Sequence, residues 1–123
     1  MSNKKTVIIG ATPNPSRYAY MAAQMMKDKK IPFVPVGIKK GEVGGQTILD
    51  IRAKPTIEGV DTVTLYLGPH NQKEWYEYIL SLSPRRIIFN PGTENRELME
   101  MARDKDIEVL PACNLVMLSS GQF

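Results

Sequence analysis

Cysteine occurs once, as Cys113, and histidine once, as His70. A lone cysteine allows no intrachain disulfide, so a reducing cytoplasm is the natural compartment. A lone histidine excludes a metal site built from several histidines, and its place at a helix start favours no catalytic role. No apolar run approaches the ~20 residues of a membrane span. Met1 to Lys5 are followed by too short an apolar stretch for a signal peptide. No Lys/Arg-rich run is interleaved with aromatics, which argues against nucleic acid as a partner. Paired catalytic carboxylates, a G-x-S-x-G elbow, a C-x-x-C pair and a G-x-x-x-x-G-K-[ST] loop are all missing. These absences point to a cytoplasmic protein with no catalytic constellation.

What is there is an ordinary globular composition. The 123 residues are 42% hydrophobic and 24% charged, with a net charge of +3. That length supports one domain, 1–123, with a real core. The mild positive charge admits an anionic small-molecule ligand.

Strand and helix signals alternate along the chain. Residues 6–9 form a β-branched run of the kind that is buried on both faces of a sheet. Residues 18–29 read as a helix, with Tyr18, Ala22, Met25, Met26 and Lys29 on one face. A second strand covers 32–36, and a short extended piece is possible at 47–51. The third strand is 62–67, followed by a helix over 71–82 with Asn71 as cap. The fourth strand is 86–89, followed by a helix through Arg103 with Thr93 as cap. The fifth strand is 106–110, and the tail from Pro111 has no assignment. This alternation predicts an α/β fold: a Rossmann-like, doubly wound parallel sheet of about five strands in the order 3-2-1-4-5, with helices on both faces.

In such a sheet, ligands sit outside the carboxyl ends of the strands. The loops there are rich in Gly, Pro and polar groups. In the first, Gly10, Ala11, Thr12, Pro13, Ser16 and Arg17 lead into a helix start, where unpaired N–H groups and the helix dipole favour an anion. The G-x-G-x-x-G fingerprint is absent, since only Gly10 is kept. Arg17 is unfavourable against the positive end of a helix unless an anion lies between them. After the second strand, where an NAD protein carries Asp or Glu, the chain has Gly37, Ile38, Lys39 and Lys40. Two lysines there suit a ribose bearing a phosphate, as in coenzyme A or NADP. Gly68-Pro69 and Asn90-Pro91-Gly92 are turns whose backbone N–H groups can meet a second polar moiety.

Taken in order, Ile8-Ile9-Gly10-Ala11-Thr12-Pro13-Asn14-Pro15-Ser16-Arg17, Val34-Pro35-Val36, Gly44-Gly45 and Val60-Asp61-Thr62-Val63 resemble the small stand-alone CoA-binding domain proteins. The segments from Ile88 to Asn95 and from Ile107 to Cys113 continue the match. The same pattern resembles the amino-terminal domain of the succinyl-CoA synthetase alpha subunit. The resemblance implies a Rossmann-type domain that binds coenzyme A or an acyl-CoA. Gly10 to Arg17 would hold the pyrophosphate and Lys39 or Lys40 the 3′-phosphate. Gly68, Pro69, Pro91 and Gly92, with Asn90 in the same turn, would border the pantetheine or adenine. The synthetase's phosphohistidine belongs to a second domain, so the resemblance carries no catalysis. Two other readings stay open: an NADP-dependent oxidoreductase, and a nucleotide-sensing interaction module. The helix faces show no extra apolar stripe, so a homodimer or a partner subunit is neither favoured nor excluded.

Overall fold

Strand β1 (Thr6–Ile9) is buried along its whole length. A strand in that position needs cover on both faces, and Val7-Ile8-Ile9 sends apolar side chains alternately to each. In the computed structural model, which describes residues 4–123, β1 lies inside a six-stranded parallel sheet. The signal-peptide expectation rests partly on residues 1–3, which lie outside those described.

The neighbours of β1 are β2 (Phe33–Gly37) and β6 (Thr62–Leu65). A two-stranded antiparallel hairpin, β3 (Glu42–Val43) and β4 (Gln46–Thr47), precedes β5 (Leu49–Asp50). β5 pairs with β2 at one edge, while β7 (Arg86–Phe89) and β8 (Glu108–Pro111) extend the other side. The order is therefore β5-β2-β1-β6-β7-β8.

The α/β Rossmann-like class agrees with the sequence, but the order corrects it. The expected 3-2-1-4-5 arrangement puts the strand at 62–67 on the edge beside β2. That edge belongs instead to β5, held there by the pairs Val36↔Leu49 and Gly37↔Asp50. β6 is apolar enough to be buried throughout, and it pairs with β1 in the middle of the sheet. Winding thus reverses between β1 and β6, and a doubly wound sheet opens its ligand crevice at such a point.

Helices α1 (Tyr18–Asp28) and α5 (Asn114–Ser120) cover one face, packing Ala19, Ala23, Met26, Met117 and Leu118 around Ile8 and Ile88. On the other face lie α3 (Tyr76–Ser81) and α4 (Arg96–Asp104), whose Tyr78, Ile79, Leu98 and Ala102 meet Val7, Ile9, Val63, Leu65, Ile87 and Phe89. The helix expected over 71–82 begins earlier and is interrupted. Gly68 precedes the short α2 (Pro69–Gln72), a 3-10 turn at Lys73–Trp75 follows, and then α3. Pro69 occupies the first helical position, where its missing N–H costs nothing. Asn95 rather than Thr93 caps α4, its Oδ1 accepting from Leu98 N at 3.2 Å. The unassigned tail forms α5. No helix among the described residues is long and apolar enough to cross a membrane.

The face under α5 also buries polar side chains. Arg86 donates from Nε to Thr62 Oγ1 at 2.8 Å and from Nη2 to the main-chain oxygen of Phe123 at 2.7 Å. Its guanidinium lies 4.6 Å from the centre of the Phe123 ring. A buried cation is tolerable only with such partners, and this one fastens the last turn of the chain to the sheet.

Candidate ligand-binding crevice

The loops beyond β1, β2, β6 and β7 enclose an open crevice of about 670 Å³. Directly after β1 comes Gly10, where φ is +98° and a Cβ would lie 3.0 Å from the Tyr66 carbonyl carbon. Only glycine fits a position so turned and so crowded. The amides of Gly10 and Ala11 both donate to Val36 O, at 2.9 and 3.0 Å, which ties the loop to β2. Further on the loop is braced by its own side chains. Thr12 Oγ1 accepts from Asn14 N at 3.2 Å, and Asn14 Oδ1 accepts from the Ser16 amide and hydroxyl at 3.0 and 2.8 Å.

Arg17 is the N-cap residue of α1, in extended conformation. No side chain caps this helix and no acid stands in its first turn. The partial positive charge at its start is therefore left unanswered within the described residues. Across the crevice, β2 ends at Gly37, whose Cβ would sit 2.7 Å from Ala11 O. Ile38, Lys39 and Lys40 follow and line the opening.

The floor comes from Tyr66, Leu67 and Gly68 beyond β6, with Pro91 and Thr93 beyond β7. Tyr66 donates its hydroxyl to Asn114 Oδ1 at 2.9 Å, an atom that also accepts from Thr64 Oγ1 at 3.1 Å. Asn90 Nδ2 donates to Thr64 Oγ1 at 2.7 Å and Leu65 O at 2.8 Å, while Asn90 Oδ1 accepts from Asn114 N at 2.8 Å. Gln72 Nε2 donates to Leu67 O and Thr93 O, both at 2.8 Å, joining the two floor loops. Burial pushes the Tyr66 phenol far above the usual tyrosine range, so it stays neutral.

Three cations line the crevice, Arg17, Lys39 and Lys40, and no Asp or Glu does. None of the three makes an ion pair among the described residues. Asp50 is held below the usual carboxylate range chiefly by hydrogen bonds from Arg52, with a smaller contribution from the charge of Lys40.

Of the residues expected at the site, Gly10, Ala11, Thr12, Pro13, Arg17, Lys39, Lys40, Gly68 and Pro91 line the crevice together. Ser16, Gly37, Pro69, Asn90 and Gly92 are not among the lining residues. Ser16 braces the first loop, Gly37 permits the close passage of β2, and Pro69 starts α2. Asn90 is 4% exposed and spends its amide on β6 and α5, while Gly92 N donates to Glu94 Oε1 at 2.9 Å. Asn14, Ile38 and Thr93 also line the crevice, within loops expected to bind though not singled out there, while Tyr18, Ala19, Tyr66, Leu67 and Asn71 were missed. Tyr66, expected inside the strand at 62–67, lies just beyond β6, which ends at Leu65. Tyr18, expected on the buried face of α1, is 69% exposed; Ala22 and Met26 are buried as expected, and Ala19 and Ala23 complete the stripe.

A family model described as a CoA binding domain matches residues 4–119. The chain belongs to the CoA binding domain family. Solved structures share its fold over nearly its whole length. An uncharacterized protein of known crystal structure is 57% identical, with 100% of both chains covered and a TM-score of 0.95. A protein from Thermus thermophilus is 20% identical, with 98% of this chain and 91% of that chain covered and a TM-score of 0.82. A hypothetical protein from Pyrococcus horikoshii OT3 is 22% identical, with 96% and 83% covered and a TM-score of 0.81. The last two establish likeness of fold alone. No curated protein matches the chain.

Proposed function

We propose that this CoA binding domain holds coenzyme A or an acyl-CoA in the crevice between β1 and β6, and that it acts by binding rather than by catalysis. The observation that carries the reading is the single sign of the crevice's charge. Arg17, Lys39 and Lys40 converge on it without a carboxylate, beside a helix start that lacks a cap. A ligand bearing several phosphates answers all of these at once.

The pyrophosphate would lie against the first loop and the start of α1, with Arg17 beside it. Lys39 and Lys40 would take the 3′-phosphate, and no carboxylate lines the crevice to bind the hydroxyls of a ribose that lacks it. The pantetheine arm would run over the floor past Gly68 and Pro91. The one titratable group in that floor, Tyr66, is pinned to Asn114 and stays neutral, so it makes a poor general base. His70 and Cys113 lie outside the lining. Such a domain suits a carrier, a sensor or a partner subunit working in the cytoplasm.

Thermal melting with CoA, dephospho-CoA, NADP, NAD and ATP tests the reading. A ligand at ~100 times its Kd adds about 2.7 kcal/mol, which in a domain of this size raises Tm by roughly 10 °C. The expected pattern is a large shift with CoA that shrinks with dephospho-CoA. A shift with NADP alone would replace the reading with an NADP-dependent one, and silence from all five ligands would remove it.

A further inference from the structure

Cys113 is the one cysteine of the chain, free and half-buried, two residues beyond the end of β8. Both of its chain neighbours are tied to the end of β7 and the turn that follows it. Ala112 N donates to Phe89 O at 3.2 Å, and Asn114 N donates to Asn90 Oδ1 at 2.8 Å. The next residue of that turn, Pro91, lines the crevice. Tyr66 lines it from the β6 side. Its phenol is raised chiefly by burial and further by the charge of Cys113, so thiol and phenol lie within electrostatic reach. Cys113 is thus held beside the floor, at the strand next to the last one whose loop the crevice touches.

A second feature lies one residue on. The side chain of Asn114 is fully buried, and its amide is turned to the floor, where Oδ1 accepts from Thr64 Oγ1 and from the Tyr66 hydroxyl. Its Nδ2 has no acceptor among the described residues. A buried donor without a partner costs stability and calls for an explanation. On the reading that the crevice takes CoA, the pyrophosphate lies at the end of β1 and the arm runs past the ends of β6 and β7. Three strand spacings separate β1 from β8, about 14 Å, and an extended pantetheine arm covers that span. Its last amide carbonyl is an acceptor of the kind that Asn114 Nδ2 lacks, and its thiol comes to Cys113.

We infer that Cys113 captures CoA from CoA disulfide as a mixed disulfide, so that the domain holds its ligand covalently under oxidising conditions. This rests on the CoA reading of the crevice. The Cys113 thiolate attacks one sulfur of the reagent. An S–S bond forms between Cys113 and one CoA, and the original S–S bond breaks. The second CoA departs as its thiolate and takes up the proton that Cys113 released. One disulfide replaces another, so no further oxidant is consumed. The crevice is open, which leaves the departing half in solvent.

Intact-mass spectrometry of the wild-type chain follows the adduct with CoA disulfide and, separately, with glutathione disulfide at the same micromolar concentration. Peptide mapping locates it. Holding the reagent in the crevice raises its effective concentration at the thiol, so the CoA adduct should form about tenfold faster or more than the glutathione adduct. An excess of adenosine 3′,5′-bisphosphate, which fills the phosphate loops and has no thiol, should bring the CoA rate down to that of glutathione. Calorimetric titration with reduced CoA runs in parallel. Equal rates for the two disulfides, beside measurable binding of reduced CoA, would overturn the capture and leave the CoA reading standing. So would a preference for CoA disulfide that survives the bisphosphate, because it would place the reaction outside the crevice. A chain that neither binds reduced CoA nor prefers its disulfide loses both the reading and the inference.

Discussion

Arg17 occupies a position that makes little sense for an empty protein. A cation at the positive end of a helix is repelled by it, and no carboxylate in the first turn of α1 relieves the repulsion. Replacing it by glutamate would satisfy the helix while placing an anion where the proposed pyrophosphate lies. Arg17→Glu should therefore lose one charge-assisted contact of about 1.5–3 kcal/mol, a roughly ten- to hundredfold weaker Kd for CoA by calorimetry. The melting temperature of the free protein should hold or rise. Asp61 is a residue of a different kind, set by fold rather than by ligand. Burial alone would raise its carboxyl, but hydrogen bonds from Arg85 and Thr62, with the charge of Arg86, outweigh burial and hold it below its ordinary value. A carboxylate depressed in the folded state stabilises above its unfolded pKa of about 3.9 and ceases to do so as pH falls through the lower folded value. Wild type and Asp61→Asn should thus differ in Tm at neutral pH and converge in acid, and melting curves taken from pH 7 to pH 2 would reveal the convergence.

Among the elements, β6, β7 and α5 meet at one side chain. Asn90 reaches Thr64 and Leu65 of β6 and the first amide of α5, all while 4% exposed. Asn90→Ala would leave buried donors and acceptors unmatched. The expected cost is about 1–3 kcal/mol, a fall in Tm of roughly 5–10 °C, with a lasting loss of ligand affinity because the crevice floor rests on the same network. Elements of this kind differ in how plainly the sequence announced them. Val7-Ile8-Ile9 and Ile87-Ile88-Phe89 could be read as buried strands from their apolar runs. β5 showed only as a short extended piece within 47–51 with no place in the sheet, because two residue pairs with β2 are the whole of it and both its residues are exposed. Left out of the strand order, it gave up the edge to the strand at 62–67. α5 was hidden for another reason: Cys113, which precedes it, caps nothing with its side chain, so no start signal follows Pro111. The crevice was legible where it depends on local chemistry, as at Gly10, Arg17 and the lysine pair. It was illegible where it depends on which strands adjoin, since Tyr66 reaches the floor only because β6 lies beside β1.

For the molecule as a whole, the reversal of winding between β1 and β6 does more than locate a cleft. It brings the ends of β1, β2, β6 and β7 to one rim, so that residues far apart in sequence face a common space. The opposite end of the sheet is closed by Arg86 and Phe123. One stabilising cluster thereby stands at the end of the strands away from the crevice, and a change there need not disturb the rim.

The charges around that rim also bear on how the protein behaves with nothing bound. Like charges gathered on one face repel, and dissolved salt weakens the repulsion over distances beyond about 10 Å at 0.1 M. The free chain should therefore melt higher as sodium chloride is raised, while its grip on CoA loosens over the same range. Plotted together, the two curves should run in opposite directions. A buffer chosen to keep the empty protein on the shelf would then be the wrong one in which to look for its ligand.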